Sequence, residues 1–168
     1  MNKAKFFKVF LFIFLLTSIE MNNISKVNAL NEGQEASDFR LETNKNQTIR
    51  LEDLKGKTIV LNFWTTWCTY CQEELAELQT FYEEKGDNVE LIAVNLTSSE
   101  RSKQGVLHFI KKSNIPFTVL LDVKGEVAEQ YKIIGLPTTF IIDKKGNIKK
   151  KILGPITSEM LHKQIDQL

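Results

Sequence analysis

Cys68 and Cys71 are the only cysteines of the chain, and they stand three residues apart within residues 62–75, NFWTTWCTYCQEEL. A disulfide closing so short a loop adds little as a staple, because the stabilisation grows with the loop that is closed. Three readings remain: a reversible redox couple, half of a metal site, or a pair of inert buried thiols. A zinc site takes about four ligands, whereas the other candidates here are His108 and His162, with no second cysteine pair. Inert thiols have no need of the position these two occupy. An apolar run ends just before them and a helical pattern begins just after, so Cys68 falls at a strand-to-helix junction. Free N–H groups and the positive dipole end stabilise a thiolate there, lowering its pKa below the free value of ~8.5. Cys71, one helical turn on, shares the helix face and lies within bonding distance. One sulfur is exposed and activated while the other is held in reserve, a division that suits thiol–disulfide exchange.

The elements that must position this pair are legible on either side of it. Residues 58–64, TIVLNFW, form a nearly continuous apolar run bounded by Lys-Gly-Lys, the pattern of a buried central strand. A helix is predicted over 69–85. At ~100° per residue its apolar face holds Cys71, Leu75, Leu78 and Tyr82, with Glu74 at the margin and Glu73 and Glu77 turned away. Upstream, the segments around ETNKNQ read as an N-terminal β-hairpin. Downstream come a strand over 89–96, a helix over 105–113, a strand over 117–122 and a short helix over 125–132. Strands 138–143 and 148–153 flank a Lys-Lys-Gly-Asn turn, and a closing helix is apolar at Met160, Leu161, Ile165 and Leu168. Strands alternating with helices and ending in a hairpin predict an α/β fold: a mixed central sheet with an antiparallel edge, flanked by helices.

The first 29 residues behave differently. Lys3, Lys5 and Lys8 precede the apolar run VFLFIFLL, which stops at Glu20, and Val27-Asn28-Ala29 offers a cleavage site. That is the layout of a secretory signal peptide, and the run is short for a span, which takes about 20 apolar residues. Residues 1–29 are therefore expected to be a signal peptide or a retained N-terminal anchor, with a single domain over 33–168 outside the cytoplasm. The chain has 26% charged residues and a formal net charge of +1, so no basic surface for nucleic acid is expected. Outside the cytoplasm a thiol pair can be oxidised and stay so.

The segment NFWTTWCTYC resembles the FW-x-x-WC-x-x-C active site of thioredoxin-fold proteins. EGQEASDFRL, LEDLKGKTIVLNFWTTWC and GLPTTFIIDKKGNI narrow the resemblance to the ResA/TlpA-like family of exported thiol–disulfide oxidoreductases, from residue 33 to the end. The resemblance implies a thioredoxin-like fold with a central βα insertion. It implies that Cys68 attacks and Cys71 resolves, and that Pro137 is a cis-proline exposing the Leu136 backbone to a substrate strand. Trp67 would cover one side of the site, with Trp64 in the core, and Tyr70 would join the substrate surface or shield the sulfur. In this family a glutamate three residues after the second cysteine influences thiol protonation, a position held here by Glu74. Thioredoxin itself places an aspartate six residues before the first cysteine; this chain has Asn62, which cannot titrate.

The implied activity is reduction of disulfides in exported proteins, such as apocytochrome c before haem attachment, by a monomer. It needs no cofactor or metal beyond the Cys68–Cys71 couple, and a thiol-reducing membrane partner would supply the electrons. Three departures bear on this. Ser37 stands where proline is usual, Ala76 replaces a frequent proline, and Thr69-Tyr70 lacks the proline commonly second between the cysteines. That dipeptide tunes potential between a reductant near −270 mV and an oxidant near −120 mV, so a dithiol oxidase is the alternative direction. A peroxiredoxin-like peroxidase would use Thr65, but Leu61 replaces the expected proline and no arginine follows Arg101. A non-enzymatic copper module of the Sco type has three residues between its cysteines, against two here.

Overall fold

Residues 58–64 carry no charge, and their side chains are large enough to fill space on both faces of a sheet. In the computed structural model, which describes residues 30–168, they form β3 (Thr58–Trp64), buried along its whole length. The expected leader or anchor over 1–29 lies outside the described residues. Strand β4 (Val89–Asn95) pairs with β3 in parallel, and β6 (Thr138–Ile142) pairs with its other edge antiparallel. Beyond β4 lies β5 (Thr118–Leu121), parallel to it. The N-terminal hairpin of β1 (Arg40–Thr43) and β2 (Thr48–Arg50) closes that side, and β7 (Ile148–Leu153) closes the other. The seven-stranded mixed sheet has the order β2-β1-β5-β4-β3-β6-β7.

Among the described residues four helices flank it: α1 (Thr69–Glu84), α2 (Lys103–Lys112), α3 (Glu126–Gln130) and α4 (Ser158–Ile165). The expected βα insertion is α2 with β5, placed between β4 and α3. Alternation along β3 divides the core, because successive side chains point to opposite faces. Val60 and Trp64 pack with Leu78 and Phe81 of α1, Val106 and Ile110 of α2, and Leu161 of α4. Ile59, Leu61 and Phe63 face Leu30, Phe39, Val127 and Tyr131. The Tyr131 ring meets Phe63 and Phe140 with centroids 5.3 Å apart in each pair, and its hydroxyl donates to the Ser37 carbonyl at 2.7 Å. That bond uses the backbone of residue 37, so serine serves there as well as proline. Among the described residues no helix is long and apolar enough to cross a membrane.

The helix faces depart from the periodicity reading in two places. In α1 the buried stripe is Cys71, Glu74, Leu78 and Phe81, with Leu75 and Tyr82 only half buried. In α4 the contact with the core runs through Leu161 and Ile165, leaving Met160 and Leu168 exposed. A single helix read alone shows one apolar face. Here α1 is covered by the sheet and by α4 together, so its buried arc turns toward both.

Register explains where the site falls. Trp64 at the end of β3 pairs with Asn95 at the end of β4, and Thr138 at the start of antiparallel β6 lies opposite Phe63. The segments leaving or entering these strands, 65–68, 96–100 and 134–137, therefore converge at one end of the sheet.

Candidate active site

Cys68 is the N-cap of α1, with extended backbone, and its Sγ accepts from the Cys71 N–H at 3.2 Å. The two sulfurs form a disulfide, with Cα atoms 5.2 Å apart. The first turn of α1 has no acidic side chain, so nothing local cancels the positive end of a 16-residue helix. Both cysteines are buried as residues, Cys68 at 8% exposed and Cys71 at 3%, so the exposure expected of Cys68 is limited to the adjoining groove, which it alone of the two lines.

That groove, of about 520 Å³, runs over Cys68 between Trp67 and Tyr70 on one side and Ile133 to Leu136 on the other. Trp67 and Tyr70 are 60% and 61% exposed, large apolar surfaces left uncovered beside a reactive sulfur. The Trp67 indole N–H donates to the Ser99 carbonyl at 3.2 Å, which stands the ring beside the groove. The Leu136–Pro137 peptide is cis. Among the described residues the Leu136 N–H and C=O have no hydrogen-bond partner. Backbone polar groups demand partners, so this stretch presents a free strand edge beside the disulfide. Trp64 is core, 5% exposed, with its ring tilted at 42° to that of Phe109.

Glu74 lies at the centre of the buried stripe of α1, not at its margin, and is 2% exposed. Its Oε2 accepts from the Asn62 side-chain amide at 3.3 Å and its Oε1 from the Ile156 backbone N–H at 3.1 Å. Burial pushes its pKa from 4.5 up to about 7, because the charged form loses water, and the two donated hydrogen bonds recover only part of that loss. A carboxyl so placed is half ionised near neutrality and shares a buried helix face with Cys71, which suits it to exchange a proton with that thiol.

Asn62 has more to do than stand in for an acid. Its amide N–H groups reach both Glu74 and the Thr139 hydroxyl, the latter at 3.0 Å, while its Oδ1 is buried without a partner. The signal was a single polar residue inside an apolar strand. Ile156 left no signal at all, since it acts through its backbone. Glu77, expected to point away, is half buried and accepts from the Ser158 N–H at 2.9 Å, capping α4. The Thr65 hydroxyl is fully buried without a partner and does not line the groove at Cys68. Among the described residues no cluster of side chains could hold a metal ion.

Comparison with known proteins agrees with this geometry. The AhpC/TSA family matches residues 32–151. The chain is similar to sporulation thiol-disulfide oxidoreductase A of Bacillus subtilis, 43% identical over 120 residues, 68% of this chain and 73% of that protein. It is similar to thiol-disulfide oxidoreductase ResA of the same organism, 38% identical over 135 residues, 80% and 74% of the two chains. Among solved structures, StoA from Bacillus subtilis superposes with a TM-score of 0.71 at 39% identity, covering 77% of this chain and 96% of that one. The exposed lipoprotein thioredoxin Etrx1 from Streptococcus pneumoniae gives 0.72 at 29% identity, covering 79% and 100%.

Proposed function

The chain belongs to the AhpC/TSA family and, within it, to the thioredoxin-fold thiol–disulfide oxidoreductases of the ResA and StoA type, and on that premise we propose that it reduces disulfides in proteins outside the cytoplasm. One observation carries the reading. The Cys68–Cys71 couple sits at the head of α1, facing an apolar groove whose far wall is the unpaired backbone of Leu136. A groove of that kind fits an extended polypeptide better than a small polar oxidant.

In the reaction the Cys68 thiolate attacks one sulfur of a client disulfide, and the other client sulfur leaves as a thiolate. Glu74, as carboxylate, takes the Cys71 proton. The Cys71 thiolate then attacks Cys68 Sγ, reforming the disulfide and releasing the second client thiolate. Two electrons have passed to the client, and a dithiol partner in the membrane returns two to the couple. Trp67, Tyr70, Leu136 and Pro137 form the client surface. Residues 1–29 act as leader or anchor, a placement supported by the likeness to an exposed lipoprotein thioredoxin. Apocytochrome c is the client class this reading names first.

Equilibrating the full chain in redox buffers tests the direction. A potential near −270 mV supports reduction, and one near −120 mV would make the protein a dithiol oxidase instead. Cys71→Ser is expected to hold clients as mixed disulfides on Cys68. Capture of none in the native host would remove the protein-disulfide reading.

A further inference from the structure

Trp67 stands between two concavities. On one side is the groove at Cys68; on the other is a cleft of about 420 Å³ lined by Trp67, Gln72, Glu100, Arg101, His108 and Phe109 among others. An exposed tryptophan on a loop keeps such a position only if the loop is tied down. The tie is Glu100. Its Oε1 accepts from the Thr66 backbone N–H at 2.6 Å and from Asn95 Nδ2 at 2.9 Å, and its Oε2 accepts from the Thr66 hydroxyl at 2.6 Å. Asn95 is held in turn by the Thr97 hydroxyl, which donates to its Oδ1 at 2.9 Å. Gln72 Nε2 donates to the Thr66 carbonyl at 2.5 Å, so every polar atom of Thr66 is engaged. The residue before Glu100, Ser99, supplies the carbonyl that takes the Trp67 indole N–H.

We infer that Glu100 is a positioning residue for client recognition, clamping Thr66 so that Trp67 forms a fixed wall over Cys68. Three properties support this. Its bonds are charge-assisted and short, the stronger kind. Both carboxylate oxygens are committed to the loop before Cys68 and to the strand end that carries the clamp. Among the described residues no lysine, arginine or histidine pairs with it. The clamp therefore governs the wall and not the sulfur itself: a polypeptide must lie against Trp67, whereas a small disulfide needs only access to Cys68. The inference rests on the protein-client reading proposed above.

The test compares two substrates of the reduced full chain, insulin disulfides and a small aromatic disulfide. In Glu100→Ala the ratio of the two rate constants, insulin over small disulfide, falls on the order of tenfold. Iodide quenching of tryptophan fluorescence changes with it, because Trp67 is the exposed indole. Glu100→Gln restores both readouts: its carbonyl still accepts at the Oε1 position, and its NH2 group donates to the Thr66 hydroxyl. Thr66→Val, which keeps the backbone bond and deletes the hydroxyl, gives a partial loss without threatening the fold. An unchanged ratio in Glu100→Ala, an equal loss on both substrates, or a Gln variant as poor as Ala each overturns the clamp. If the wild-type chain reduces no protein disulfide, the client reading fails, and the quenching comparison still decides whether Glu100 holds Trp67.

Discussion

Replacing Glu74 by Gln should make the protein more stable, and only above a definite pH. Glu74 is 2% exposed and its pKa is raised from 4.5 to about 7 by burial. The folded state therefore binds the proton more tightly than the unfolded state does. Below pH 4.5 both states are protonated and the contribution is fully present; it is lost as pH rises toward and through about 7. Moving a carboxyl between those values corresponds to about 3 kcal/mol, so wild-type stability should fall by about 1.4 kcal/mol per pH unit over that window from this group alone. Gln removes the titration and keeps the shape. Its carbonyl accepts from Ile156, and its NH2 group meets Asn62, whose partnerless Oδ1 turns inward to accept. Urea unfolding of the disulfide form of the full chain at pH 4.5, 6, 7 and 8 reads the difference, because the other carboxyls titrate alike in both proteins. The two should coincide at pH 4.5. At pH 8 the variant should be ahead by about 3 kcal/mol, or about 1.5 M urea for a slope near 2 kcal/mol per M. Curves that stay parallel across the series would refute the burial argument and return Glu74 to an ordinary carboxylate.

Asn62→Asp puts a second carboxyl where the amide now sits 3.3 Å from Glu74 Oε2, and like charges so close drive one of the pair further up. The apparent pKa of thiol exchange should rise by about one unit or more, and an unmoved pH–rate profile would count against the contact. Phe81→Ala empties a fully buried position between the sheet and α4 and should cost about 3–5 kcal/mol in urea unfolding; a loss under about 1 kcal/mol would mean the site collapses freely. Trp67→Ala should change stability by less than about 0.5 kcal/mol, since the ring is exposed, while slowing insulin reduction; equal rates would remove Trp67 from the client surface. Glu77→Ala frees the Ser158 N–H at the start of α4 and should cost about 1 kcal/mol by thermal unfolding, with no change expected in exchange rate at neutral pH.

What could be read beforehand was whatever the chain encodes locally. The apolar run of β3, the hairpin turns and the strand-to-helix placement of Cys68 are each written within a dozen residues. Glu74 could be singled out through the family resemblance, as the glutamate three residues after Cys71, yet its place at the middle of the buried stripe depended on α4, which packs on α1 from far along the chain. Asn62 looked inert because it cannot titrate; its meaning came from facing Glu74 across the sheet–helix interface. Ile156 and Ser99 contribute carbonyl or amide groups that every residue carries, so no side-chain pattern could announce them. Glu100 has no local signal, because its partners meet it only where register brings the ends of β3 and β4 side by side.

The bond between Glu74 and the Ile156 N–H joins positions 82 residues apart, and this sets an order of assembly. A chain made from its N-terminus exposes Cys68 and Cys71 long before Ile156 arrives. Until then the carboxyl at 74 is hydrated and fully ionised at neutral pH, and the thiols have only local surroundings to tune them. The C-terminal segment that carries Ile156 therefore completes the surroundings of Glu74 as well as the fold. On the proposed role of Glu74, a nascent chain carries the CxxC pair as ordinary cysteines, and full-strength exchange begins only when the C-terminal segment docks.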